Sequence, residues 1–205
     1  MSGPGVLRGP AGGRPDTGER CELCTRPVGA EHRHLVDLDE RVLACACAAC
    51  ATLFDREGAV GGRFRAVPDR RVGEPACSVP PAAARALLGA PAGAAFFVRD
   101  SAAGGPVALR PGPDGPTSSA ADPDAWRSAR DACGPAGLLV PDVEALLLRC
   151  EAGAVSCCLV PLDAAYALLA RLAPLWRPPD GGPKGREEVA AFLAGAARGA
   201  AAPPR

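Results

Sequence analysis

The chain has 205 residues, enough for one ordinary domain and a small additional module. Hydrophobic residues make up 48% of it, which argues against wholesale disorder, and its 23 basic and 23 acidic residues balance, which argues against a general polyanion-binding protein. The N-terminus lacks the apolar run of a signal peptide, and no segment approaches the ~18 apolar residues of a membrane span. We therefore expect a cytoplasmic protein whose ten cysteines stay reduced.

Composition changes along the chain predict two folded parts. Residues 1–19 are polar and rich in Gly and Pro, and we expect them and the tail at 199–205 to be disordered. Residues 20–60 contain five cysteines and both histidines, which predicts a cysteine-rich zinc-binding module. Residues 61–77 are predicted to be a connecting strand and linker, and residues 78–198 an α+β domain.

The cysteine-rich segment shows the element order of a treble-clef or zinc-ribbon-like module. CELC is followed by EHRHLVDLDE, whose alternation is typical of a β-strand, and by a turn and a returning strand from Val42. Cys47-Ala-Ala-Cys50 then opens ATLFDRE, which has the composition of a helix. A knuckle, a hairpin and a helix with cysteines in its first turn therefore follow one another.

We interpret Cys21, Cys24, Cys47 and Cys50 as the ligands of one metal ion. Two residues between paired cysteines let both thiolates point at the same ion, and 22 residues separate Cys24 from Cys47. Four thiolates close the tetrahedral sphere of Zn²⁺ and leave no position for water or substrate, so the site would be structural. Iron bound by the same four sulfurs, as a rubredoxin-like centre or an Fe–S cluster, is the alternative.

Three further residues of this segment are alternate ligands. Cys45 can replace Cys47, or it can be a strand residue packed beneath the site. His32 and His34 can bind the metal, or they can lie on one face of the hairpin. We favour the second interpretation for all three residues, because four cysteines already complete the sphere.

From residue 78 onward, the apolar patterns predict the element order ββαββαα. The predicted elements are a hairpin (95–100 and 106–110), a helix opened by Asp122-Pro123, a second hairpin (142–150 and 154–162), a helix capped by Asp163, and a last helix over 186–197. This order predicts an antiparallel sheet with helices packed on one side, an α+β architecture.

The remaining cysteines carry no evident motif. Cys77 and Cys133 are predicted at the ends of elements with no visible partner. Cys150, Cys157 and Cys158 lie on apolar strands, where thiols are most often core residues, although they could meet across the second hairpin.

The sequence contains no recognisable set of catalytic residues of an enzyme class. An HNH-type nuclease centre needs an Asp-His pair, an asparagine and a histidine in the helix, but the chain has no asparagine and no histidine after Cys50.

A weak basic patch surrounds Phe64, formed by Arg63, Arg65, Arg70 and Arg71. Phosphate binding usually requires a larger basic excess, so we do not expect a nucleic-acid partner, and we take the hairpin and this patch as a surface for a protein.

The sequence resembles an actinobacterial family of unassigned function over nearly all of residues 20–198, through the runs CELC, EHRHLVDLDERVLACACAACATLF, GGRFRAVPDR, AFFVRDS, PDVEALLL and LVPLDAAYALLARLAPLW. Members of that family are encoded beside group 5 [NiFe]-hydrogenase genes, together with Rieske-type and NifU-like proteins. The resemblance implies an accessory role in the assembly or operation of a hydrogenase, with the enzyme or its maturation proteins as partners. It identifies no catalytic residues.

These observations predict a non-enzymatic, zinc-binding accessory or adaptor protein. An iron–sulfur or rubredoxin-like electron carrier is the first alternative, and a zinc-finger regulator that binds nucleic acid is the second.

Overall fold

The structure is a computed structural model that describes residues 18–55, 59–89, 93–112, 115–177 and 180–198. The predicted disordered segments therefore lie outside the described residues, except for residues 18 and 19. The chain divides into two compact units, an N-terminal unit that ends at Pro68 and a C-terminal unit that begins at Asp69. Among the described residues, no helix has the length and apolar character that crossing a membrane requires.

The N-terminal unit is a small antiparallel sheet with one helix. Its elements are β1 (Arg33–Asp37), β2 (Val42–Ala46), α1 (Ala48–Phe54), a 3₁₀ turn (Ala59–Gly62) and β3 (Phe64–Ala66). The predicted hairpin and helix are present, and the strand order is β2-β1-β3. Asp37 fastens the turn of the hairpin, because its carboxylate accepts hydrogen bonds from the amides of Asp39 (3.0 Å) and Glu40 (3.1 Å) and from Arg63 Nε (2.9 Å).

The apolar core of this unit is small. Val36, Leu43, Ala44 and Val67 are buried, as is a cluster formed by Leu35, Ala46 and Ala51. The partly buried residues packed against them include the Phe54 and Phe64 rings, which meet edge to face at 5.5 Å. Few of these buried side chains are large, so apolar burial alone stabilises a unit of this size weakly, and we expect another source of stability.

The C-terminal unit is a six-stranded antiparallel sheet of order β4-β9-β8-β5-β6-β7, which confirms the predicted antiparallel α+β architecture. Its elements in chain order are β4 (Val72–Cys77), α2 (Pro81–Leu88), β5 (Gly93–Asp100), β6 (Gly105–Arg110), β7 (Thr117–Ala120), α3 (Pro123–Ala132), α4 (Gly134–Gly137), β8 (Glu144–Glu151), β9 (Ala154–Pro161), α5 (Leu162–Leu172) and α6 (Gly182–Arg198). Both predicted hairpins are present, as β5–β6 and β8–β9.

Helices cover both faces of this sheet, whereas the sequence led us to expect them on one side. Phe96 and Phe97 are neighbours on β5, and successive side chains of a strand point to opposite faces. The Phe97 ring stacks on Trp126 of α3, while the Phe96 ring meets Phe192 of α6 edge to face. The ββαββαα order did not show this arrangement, because element order alone does not assign a helix to one face of a sheet.

Four strands and α-helices were not predicted from the sequence: β4, which lies in the predicted linker, α2, β7 and α4. The α2 helix begins at the second residue of a Pro-Pro pair and ends where Gly89 adopts a left-handed conformation (φ 73°), so its signals are caps and not apolar periodicity. The β7 strand, TSSA, is exposed along its whole length and pairs only with β6. The α5 helix starts at Leu162, two residues earlier than a cap at Asp163 predicts, so Asp163 lies in its first turn and does not cap it.

The predicted connection at 61–77 contributes a strand to each sheet. Within it, β3 pairs with β1 of the N-terminal unit, and β4 pairs with β9 of the C-terminal unit. The segment therefore belongs partly to each folded unit.

A buried ion pair connects the start of the C-terminal unit to β8. The carboxylate of Glu144 is fully buried and accepts hydrogen bonds from Arg70 Nε (2.5 Å), Arg70 Nη2 (2.9 Å) and the Val140 amide (2.8 Å). Arg70 is only partly covered, with 42% of its side chain exposed. Its charge nevertheless compensates a carboxylate that has no contact with water.

We predict that Arg70→Ala destabilises the C-terminal unit by about 2 kcal/mol, less than for a fully buried pair because Arg70 is partly exposed. Both tryptophans, Trp126 and Trp176, lie in this unit, so their fluorescence during urea unfolding reports its stability. The control is Arg127→Ala, which removes an exposed pair with Asp124 and should change the stability by less than about 0.5 kcal/mol. Equal unfolding midpoints for the two variants would contradict the structural role of Arg70.

Candidate metal centre

The structure brings Cys21, Cys24, Cys47 and Cys50 together. Their four Sγ atoms lie within 4.8 Å of one another, and Cys24 Sγ is 3.8 Å from Cys47 Sγ. Four sulfurs at the Zn–S bond length of about 2.3 Å define a tetrahedron with edges of about 3.8 Å. The donor set and its spacing therefore fit one tetrahedrally coordinated ion.

The first cysteine pair lies in a tight knuckle that backbone hydrogen bonds hold together. The Cys21 amide donates to Arg26 O (2.8 Å), the Thr25 amide donates to Cys21 O (2.8 Å), and Thr25 itself has a positive φ of 61°. The knuckle is fastened to the end of β2, since the Glu22 amide donates to Cys45 O (2.9 Å) and the Cys45 amide donates to the Glu22 carboxylate (2.8 Å). These bonds place the CELC sulfurs beside the beginning of α1.

The second pair lies at the start of α1. Cys47 is the N-cap residue, and its sulfur accepts a hydrogen bond from the Cys50 amide at 3.5 Å. An N-cap residue normally supplies a side-chain oxygen to an unpaired amide of the first turn, and a thiolate is a suitable replacement. Cys50 is one turn into the helix and is buried.

The electrostatics of the group favour a cation at its centre. Burial opposes ionisation of Cys21, but hydrogen bonds from the amides of Cys47, Cys24 and Leu23 outweigh it and lower the pKa of Cys21 to about 6. The Cys50 amide lowers the pKa of Cys47. Burial, together with the neighbouring sulfurs of Cys24 and Cys47, raises the pKa of Cys50 to about 12. Four adjacent thiols cannot all ionise unless a positive charge compensates them.

The alternate ligands His32, His34 and Cys45 form a separate group. Their ligand atoms lie within 4.8 Å of one another, and Cys45 pairs with His34 across the β1–β2 ladder. His32 Nδ1 lies 2.9 Å from Gly29 O, and its Nε2 is buried without a hydrogen-bond partner in the described structure. Burial and the negative charges of Glu22 and Glu19 raise the pKa of Cys45 to about 11. These three side chains therefore do not join the four-cysteine group.

The basic patch predicted around Phe64 is not a free cationic surface. Arg63 is paired with Asp37 and lies over the Phe64 ring, with its guanidinium carbon 5.2 Å from the ring centroid. Arg70, which belongs to the C-terminal unit, is paired with the buried Glu144 of the same unit. The apolar residues of the N-terminal unit that are most exposed are instead Leu53 of α1 and Val60 of the 3₁₀ turn, each 56% exposed.

The structure also contains a second all-cysteine group, which was not predicted from the sequence. Cys77, Cys133 and Cys157 also bring their sulfur atoms within 4.8 Å of one another, in the C-terminal unit. No spacing rule connects these cysteines, because 55 residues separate the first from the second and 23 separate the second from the third. Their proximity follows only from the fold.

We predict that the zinc affinity of the four-cysteine group falls as the pH is lowered from about 8 to about 6. Zinc binding must displace the proton of Cys50, whose pKa is raised, and near pH 6 it must also displace a proton from Cys21. Competition with a chromophoric chelator at several pH values measures the affinity. An affinity independent of pH would show that thiols do not bind the metal.

Comparison with known proteins places the chain in one family. No curated protein and no solved structure matches it. Residues 20–200 match the family of unknown function DUF5947, and this range includes both cysteine groups. The chain therefore belongs to the DUF5947 family.

Proposed function

We propose that this protein is a non-enzymatic accessory protein whose N-terminal unit is a treble-clef-like module folded around one structural Zn²⁺. The convergence of Cys21, Cys24, Cys47 and Cys50 within 4.8 Å is the observation that supports this proposal. Four thiolates saturate a tetrahedral ion, so the metal would stabilise the module and would not bind a substrate. The small apolar core of this unit gives the same reason for a metal, since metal binding would supply the missing folding free energy.

The adaptor part of the proposal rests on the exposed apolar side chains of the N-terminal unit. Leu53 and Val60 are both more than half exposed, and Val60 has a left-handed backbone (φ 46°) that is costly for a β-branched residue. Strain and exposed apolar surface are often retained where a partner binds. We therefore take α1 and the 3₁₀ turn as the protein-binding surface, in place of the arginine patch.

The partner that the family resemblance implies is a [NiFe]-hydrogenase or one of its maturation proteins. An accessory protein of this kind needs a stable recognition module and no catalytic residues of its own. The proposal is consistent with the ion pairs of Arg63 and Arg70, which engage two of the four arginines of the predicted basic patch.

We predict that Cys24→Ser removes one zinc ion per chain and unfolds residues 20–68, while the C-terminal unit stays folded. Metal analysis of the purified protein gives the stoichiometry, and limited proteolysis with tryptophan fluorescence distinguishes the two units. Cys45→Ser is the matched control, because Cys45 lies in the same segment outside the four-cysteine group, and it should keep the metal. A Cys24→Ser protein that loses no metal, or stays ordered in both units, would contradict the structural role of the metal.

The colour of the native protein distinguishes zinc from iron. A zinc protein is colourless, whereas an iron centre bound by four sulfurs absorbs visible light. Strong visible absorption of protein purified without oxygen would replace our proposal by the electron-carrier alternative.

We predict that Leu53→Glu combined with Val60→Gly abolishes co-purification with the hydrogenase or its maturation proteins, while the zinc content stays unchanged. The paired control is Leu138→Glu, a change of an exposed apolar residue in the C-terminal unit, which should leave co-purification intact. Equal recovery of the partner with both proteins would exclude α1 and the 3₁₀ turn as the binding surface.

A further inference from the structure

Three cysteines of the C-terminal unit converge from three different elements. Cys77 is the last residue of β4, Cys133 connects α3 to α4, and Cys157 lies within β9. Their Sγ atoms all lie within 4.8 Å of one another. Cys133 and Cys157 are 1% and 2% exposed, whereas Cys77 is half-buried.

An irregularity in β4 turns Cys77 toward the other two sulfurs. Glu74 is opposite Cys157, but the register then shifts, so that Cys77 and not Ala76 is opposite Val155. Residues opposite each other point to the same face, and Val155 shares its face with Cys157 two positions away. Without the extra residue, Cys77 would point to the opposite face of the sheet.

Glu74 fastens the third cysteine to the same place. Glu74 shares the face of Cys157, and its carboxylate accepts a hydrogen bond from the Gly134 amide at 2.9 Å. Gly134 directly follows Cys133, so this bond holds the junction between α3 and α4 over the sheet. The Glu74 carboxylate therefore holds the residue that follows Cys133 on the face of the sheet that carries Cys157.

The convergence is not a general consequence of many buried cysteines. Cys150 and Cys158 lie on the same hairpin as Cys157 and are equally buried, but neither belongs to a group of metal ligands among the described residues. Cys158 follows Cys157 directly and points to the opposite face of the sheet. A hydrophobic residue of similar size would fill the core as well as a thiol does, so packing gives no reason for three sulfurs to meet.

The spacing of the three sulfurs fits a soft metal ion. Sulfurs bound to one ion at about 2.3 Å lie about 3.8 to 4.0 Å apart in tetrahedral or trigonal geometry, within the observed limit. Three thiolates do not fill a tetrahedral sphere. A fourth position stays open to a carboxylate, water or another exogenous ligand, on a site that contacts solvent through Cys77.

We propose that Cys77, Cys133 and Cys157 form a second, open metal site for a thiophilic ion such as Zn²⁺. This site differs in kind from the N-terminal group of four cysteines, because its coordination sphere is incomplete. An open three-thiolate site can exchange its ion or bind an exogenous ligand, which a closed structural site cannot do. The proposal is independent of the function proposed for the N-terminal unit.

Paired alanine variants of the full chain test this proposal. Cys157→Ala should lower the zinc content by one ion per chain, whereas Cys158→Ala, which removes an equally buried thiol from the neighbouring position, should leave it unchanged. Cys77→Ser should also lose one ion, and it changes a half-buried residue that the fold tolerates more easily. Tryptophan fluorescence confirms that each variant keeps the C-terminal unit folded.

Cobalt titration separates this site from the N-terminal one. In Cys24→Ser, Co²⁺ should still produce sulfur-to-cobalt charge-transfer absorption, and the additional Cys77→Ser change should abolish it. Equal zinc content in Cys157→Ala, Cys158→Ala and the parent chain would overturn the proposal. So would an intact mass that shows a disulfide between two of the three cysteines in protein purified with reductant.

Discussion

The convergence of four sulfur atoms in the N-terminal unit is the constraint on which the rest of this unit depends. Few of the apolar residues buried in its three-stranded sheet and helix are large, so their packing alone stabilises the unit weakly. Four thiols at this distance repel one another once they ionise, so the group is stable with a cation and unfavourable without one. In our proposal, the metal bound by the two cysteine pairs holds the knuckle and the start of α1 in place. The exposed surface of α1 is then held in a fixed position as well.

The two cysteine groups are built in different ways. In the N-terminal group, the ligands come in CxxC pairs, and local structure orients each pair: a knuckle for Cys21 and Cys24, and a helix start for Cys47 and Cys50. In the second group, each sulfur comes from a separate element of a unit with a large core of its own. In our proposal, a metal is needed to fold the first unit, whereas the second unit can hold a site whose occupancy changes.

Local signals explain what could be predicted from the sequence. The CxxC spacing indicated the first group, and alternation or caps indicated both hairpins and the helix opened by Asp122. The second group could not be predicted, because it depends on a register shift in β4 and on the pairing of β4 with β9, which are tertiary features. Helices on both faces were missed for a similar reason: apolar β5 reads as a buried strand, but its sequence does not say what covers each face.

X-ray absorption at the zinc edge of the full-length Cys157→Ala protein tests the central claim most directly, because that chain lacks the second cysteine group and retains the N-terminal group of four cysteines. Our account predicts bound zinc surrounded by sulfur alone at about 2.3 Å. It also predicts that removing this zinc abolishes the hydrogen-exchange protection of β1, β2 and β3. A zinc-free protein in which these strands remain protected, or a shell dominated by nitrogen and oxygen, would contradict it.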